Sequence, residues 1–152
     1  MREWYESFAR DYMLVRYDNR GTGLSDRNIT EHTVDAMAND LEGVVDHLSL
    51  ERFTLFGMGH SGVVSIAYAV RHPERVTRLM LWAAYAQATE YLQRPRLDAV
   101  STTLNEDRAA ATVALIGALA GPASSELQRS LVDLYRRATS EEYFELRDQA
   151  PV

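Results

Sequence analysis

The first cluster of apolar positions, Tyr12-Met13-Leu14-Val15-Arg16-Tyr17, is halted by Asp18-Asn19-Arg20-Gly21-Thr22-Gly23. Branched and aromatic residues closed by a glycine-rich stop predict a buried strand. From Thr33 the period changes. Val34, Met37, Ala38, Leu41, Val44, Val45 and Leu48 fall on one helical face, with Thr33 placed to cap and Asp35 suited to the positive end of the dipole. Phe53 to Phe56 then predicts a second strand, and Val63 to Val70, apolar almost all round, a buried helix halted near Pro73. Val76 to Trp82 predicts a third strand. Strand, helix, strand, helix, strand makes parallel pairing with right-handed crossovers the default.

Beyond Ala84 the pattern is helical to the end. Ala109 to Leu119 is an alanine-rich apolar helix closed by Gly121-Pro122. Ser125 with Gln128 forms a capping box opening another, whose apolar side is Leu127, Leu131, Leu134, Tyr135 and Ala138. Thr139 with Glu142 is placed to cap a last short helix carrying Tyr143, Phe144 and Leu146. There is no internal repeat and no low-complexity linker.

Composition narrows the function classes. At 152 residues and 46% hydrophobic content the chain can form one domain with a real core. A net charge of -6 disfavours a nucleic-acid surface, which needs concentrated Lys and Arg. All 16 basic residues are arginine, so neither a Schiff-base lysine nor a phosphate-loop lysine exists. Cysteine is absent, which rules out thiolate metal sites and disulfides, and no pair of histidines has ligand spacing beside a carboxylate. We therefore expect no cofactor and no metal. The polar start of the chain lacks a signal-like apolar core and no run is long enough for a bilayer, so the expectation is a cytoplasmic protein without membrane attachment.

Three stretches carry a resemblance. Asp18-Asn19-Arg20-Gly21-Thr22-Gly23-Leu24-Ser25-Asp26 resembles the D-x-R-G-x-G-x-S signature of α/β-hydrolases, Phe53 to Gly62 their nucleophile elbow, and Arg71-His72-Pro73-Glu74-Arg75-Val76 the turn that follows the elbow helix. In order and correctly spaced, they cover residues 1 to about 85. The similarity extends in flavour to the hydrolase-like domains attached to bacterial adenylate cyclases and LuxR-type regulators. It implies a partial α/β-hydrolase fold: a short parallel sheet with flanking helices over 1–85, followed by a helical cap-like segment over 86–152, the two forming one compact unit. The glycines at 21 and 23 read as scaffold, and Arg20 either as an ion-pair partner under the elbow or as a solvated side chain.

The elbow itself has two registers. Reckoned from Gly57, the attacking position holds Gly59, flanked by Met58, His60 and Gly62, and no hydroxyl is offered. Reckoned from Gly59, Ser61 stands at the turn but Val63 replaces the last glycine of the motif. Ser61 is otherwise an ordinary helix cap. In the first register the backbone amide of His60 occupies the position that donates to an oxyanion in the family. Of the remaining histidines, His72 is expected to support a helix C-terminus, and His32 and His47 to be solvated. Met58, Trp82 and Tyr85 either line a ligand pocket at the carboxyl ends of the strands or fill the interface with the cap-like segment.

Parts of the family pattern are missing from this sequence. The strand ending in His-Gly would lie between those at Tyr12 and Phe53, and its absence leaves a gap of about twice the 4.8 Å strand spacing. Unpaired interior edges are costly, so the two strands are expected to close on each other, to pair with a second copy, or to belong to a longer product. The triad acid and histidine, which follow later strands in the family, are also absent. Two functions stay open: an ester-type hydrolase impaired by Gly59, acting on a small ester or hydrophobic ligand, and a non-catalytic ligand-sensing or protein-interaction module of a signalling system.

Overall fold

A computed structural model describes residues 2–86, Val113 and residues 125–139. In chain order its elements are α1 (Arg2–Ala9), α2 (Val34–His47), β1 (Phe53–Met58), α3 (Ser61–Arg71), β2 (Val76–Trp82) and α4 (Ser125–Ala138). β1 and β2 form a parallel pair in which Phe56 faces Met80, Gly57 faces Leu81 and Met58 faces Trp82. The chain thus carries the short parallel sheet and flanking helices expected of a partial α/β fold.

α2 forms where the periodicity placed it. The Thr33 hydroxyl accepts from Ala36 N–H at 3.1 Å, satisfying one of the free donors of the first turn. Its buried residues, Ala36, Met37, Ala38, Leu41 and Val45, lie on or beside the anticipated face. Leu41 and Val45 join Leu55 of β1 and Tyr68 of α3 in one cluster, and Met37 and Ala38 join Val64 in a second. α2 and α3 therefore share the face of β1 that carries Leu55 and Gly57. Burial holds the Tyr68 phenol in its neutral form, raising its pKa, an effect the Arg75 charge opposes.

Charged groups stitch the periphery of this layer. Arg71 pairs with Asp35, Arg75 reaches Asp46 at 2.7 Å and the Leu50 carbonyl at 3.1 Å, and His72 lies 3.5 Å from Glu42. His72 terminates α3, its N–H bonded to the Tyr68 carbonyl, which is the supporting place expected for it. His47, at the end of α2, is exposed as expected.

Two expectations require correction. Residues 13–19 form no strand, and Tyr12 and Met13 are 71% and 76% exposed. The physical reason is pairing: a strand needs a neighbour to satisfy its amides, and among the described residues β1 is hydrogen-bonded to β2 alone. Tyr12–Tyr17 has not closed onto β1. The second correction is a helix where none was anticipated. α1 lays Trp4 against Phe56 on the outer face of β1, with ring centroids 5.7 Å apart, and the Arg16 guanidinium sits 3.7 Å over the Tyr5 ring.

The glycine-rich stretch is a tight loop. Gly21 and Gly23 have φ of +77° and +56°, and a side chain at Gly23 would collide with the Asp18 carboxylate, which accepts from Leu24 N–H at 3.0 Å. Arg20 is paired rather than solvated: it grips Asp40 of α2 through two bonds of 2.6 and 2.7 Å. α4 begins at the serine expected to open it, and Val113 is helical and buried. The remainder of the Ala109–Leu119 helix and the helix expected after Thr139 lie outside the described residues.

Candidate functional site

Between β1 and α3 the chain must turn from an extended strand into a helix within two residues, and Gly59 takes the left-handed conformation that makes this possible, with φ +57°. Such an angle costs about 1–2 kcal/mol for a residue bearing Cβ. Glycine bears none. Among the described residues, and apart from its chain neighbours, a Cβ built on Gly59 would have no atom within 4 Å. The turn is therefore open above its apex, and it is tight below.

A Cβ at Gly57 would stand 2.6 Å from Ser65 Oγ and 2.8 Å from Gly62 Cα. One at Gly62 would collide with Ala84. These two glycines let α3 approach both strands closely, the spacing that holds the turn at the carboxyl ends of β1 and β2. Gly59 N–H donates to the Trp82 carbonyl at 3.0 Å, and the helical bonds start with Gly62 N–H to the Gly59 carbonyl.

Ser61 stands at the first position of α3. Its hydroxyl accepts from Met58 N–H and donates to the Met58 carbonyl, both at 2.9 Å, closing the turn from within. The ordinary helix cap expected of Ser61 is therefore corrected: its hydroxyl bonds the residue before the turn and no amide of the first helical turn, and the cap position belongs to His60. The Ser61 carbonyl accepts from the buried Ser65 hydroxyl at 2.8 Å.

The His60 ring contacts Tyr85. Its Nδ1 is 2.9 Å from Tyr85 Oη, the proton lying on either partner according to the tautomer. The ring also stacks on His32 at 5.8 Å between centroids and 16° between planes. His32 is only 3% exposed, so the expectation of a solvated side chain is corrected. An imidazole next to a helix start gives no sign in the sequence that it is folded inward. The residues that bring it there are Arg20, which bonds the Glu31 carbonyl at 3.3 Å, and Thr33, which starts α2 immediately afterwards.

Met58 and Trp82, neighbours across the sheet, are 47% and 58% exposed beside the apex, and Tyr85 is partly buried through its contact with His60. The arrangement presents an open glycine apex, an imidazole–phenol pair able to hold a proton, and two large apolar side chains. Among the described residues no cluster of His, Asp or Glu is arranged to hold a metal, and no helix is long and apolar enough to cross a membrane.

Comparison with known proteins bears on the fold that carries this site. The chain is 36% identical over 84 residues to the candidate carbamate hydrolase RutD of Caulobacter sp. (strain K31), a match covering 55% of this chain and 31% of that protein. It is 33% identical over 72 residues to a proline iminopeptidase of Arabidopsis thaliana, covering 46% and 19%. It spans about a third of the length of the RutD relatives it matches. Among solved structures it superposes on Est816, described as an N-acyl homoserine lactone degrading enzyme, with TM-score 0.69 at 20% identity over 87% of this chain and 52% of that one. The epoxide hydrolase of Bacillus megaterium gives TM-score 0.69 at 16% identity, covering 95% and 58%. Likeness at these identities speaks for the fold alone. A family model described as the alpha/beta hydrolase fold matches residues 1–144, and the chain belongs to that family.

Proposed function

We propose that this chain keeps the scaffold of an ester-type hydrolase site and binds its ligand there without turning it over. One observation carries the reading: the left-handed apex of the turn is Gly59, with no described residue beyond its chain neighbours where a nucleophile's Cβ would stand, while the nearby hydroxyl of Ser61 is engaged twice by the Met58 backbone. Acyl transfer needs an attacking oxygen aimed outward and a base within hydrogen-bond reach of it. Ser61 points into the turn, and the imidazole beside it faces Tyr85. A carbonyl-centred ligand is supported by the names of two sequence relatives, a carbamate hydrolase and a proline iminopeptidase. A small carbonyl compound with an apolar body suits the exposed Met58 and Trp82 flanking the apex. Binding without turnover corresponds to a ligand-sensing module.

The test pairs turnover with binding. With 4-nitrophenyl acetate the chain should release nitrophenolate no faster than buffer, and an N-acyl homoserine lactone should quench the fluorescence of Trp82 saturably, an effect lost in Trp82→Phe. Release of nitrophenolate that disappears in Ser61→Ala would return the chain to the hydrolases proper. Absence of both binding and turnover would remove this proposal.

A further inference from the structure

The loop before α2 touches two places that are far apart in sequence. At one end, Gly23 N–H donates to the Ala138 carbonyl at 2.9 Å, Arg27 Nη2 donates to the Arg137 carbonyl at 2.9 Å, and Thr22 forms an antiparallel bridge with Thr139. The final turn of a helix leaves its carbonyls without intrahelical partners, and a cation there also opposes the negative end of the dipole. The loop thus supplies α4 with its C-terminal cap from more than a hundred residues away. At the other end the same segment runs through Glu31, whose carbonyl Arg20 holds, to His32, which stacks on His60 beside the turn.

The segment is stiff between those ends. Arg27 bonds the Gly23 carbonyl as well as α4, Asp18 gathers Leu24 N–H and the Ser25 hydroxyl, and Arg20 is fixed to Asp40 of α2 by two charge-assisted bonds. We propose that residues 18–32 act as a strap that fastens α4 to the core, with Arg27 as its latch and the Arg20–Asp40 pair as its anchor, so that the seating of α4 and the order of the loop beside His60 change together. The inference stands on these contacts alone and does not depend on whether the turn binds or hydrolyses a ligand.

Hydrogen exchange followed by mass spectrometry on the full chain tests it. In Arg27→Ala, amides of residues 125–138 and 20–27 should exchange about tenfold faster, with β1 and α3 unchanged. Asp40→Asn, which removes the charge and one of the anchor's two acceptors without touching α4, should accelerate the same two sets. The strap is overturned if Arg27→Ala leaves α4 exchange unaltered, if the acceleration spreads equally to β1 and α3, or if Asp40→Asn leaves α4 unaltered.

Discussion

Replacing Gly59 by alanine isolates the feature on which the site is built. Two terms oppose each other. The left-handed φ of +57° penalises a Cβ by about 1–2 kcal/mol, while alanine narrows the unfolded ensemble and returns about 0.4–1 kcal/mol. No steric term enters from the described residues, none of which beyond the chain neighbours lies within 4 Å of the new atom. The net loss is about 1 kcal/mol, and for a chain of this size the melting temperature should fall by about 2–4 °C. Gly57→Ala adds the same atom where it meets Gly62 Cα at 2.8 Å, so that backbone must shift, at a cost of about 1–3 kcal/mol or more. Asparagine tolerates left-handed backbone better than alanine, so Gly59→Asn should cost less than Gly59→Ala. Thermal melts followed by circular dichroism should therefore rank the chain first, then Gly59→Asn, Gly59→Ala and Gly57→Ala. Gly59→Ala at or above the unaltered protein would refute the left-handed assignment, and Gly59→Ala below Gly57→Ala would refute the open apex.

Three further outcomes are expected. Ser61→Ala removes both bonds to Met58 and should lower stability by about 1 kcal/mol in urea unfolding; a neutral result would mean the hydroxyl does not close the turn. Ala83 has φ of +50° just after β2, so Ala83→Gly should raise the melting temperature; a decrease would contradict that backbone angle. Tyr17 has its pKa pushed up to about 12, first by partial desolvation and then by the charge of Asp40. The unfolded chain releases this proton near pH 10 and the folded chain holds it to about 12, so the contribution is complete below pH 10 and is lost between 10 and 12. Urea unfolding at pH 9 and pH 11 should show a larger loss for the protein than for Tyr17→Phe, and equal losses would remove the assignment.

The elements legible in the sequence were those whose signals are local. The α2 face, the Thr33 cap, β1, β2 and the glycine turn follow from period and from backbone chemistry within a few residues. Tyr12–Tyr17 forms no strand because strand formation depends on a neighbour elsewhere, and an apolar run says nothing about whether an edge is free to receive it. α1 gives little signal because its polar composition hides the spacing of Trp4 and Phe8, whose rings meet at 4.8 Å one helical turn apart. His32 gives none for a similar reason. Its burial against His60 is set by Arg20 reaching across to α2, a contact twenty residues long in sequence.

Under the proposed function, no side-chain oxygen at the strand-to-helix turn attacks a carbonyl or phosphoryl centre. Incubation with diisopropyl fluorophosphate, followed by intact-mass and peptide mass spectrometry, addresses it directly. The mass should remain that of the unmodified chain, with the peptide containing Ser61 unaltered. A stoichiometric phosphoryl adduct on Ser61 would contradict the claim.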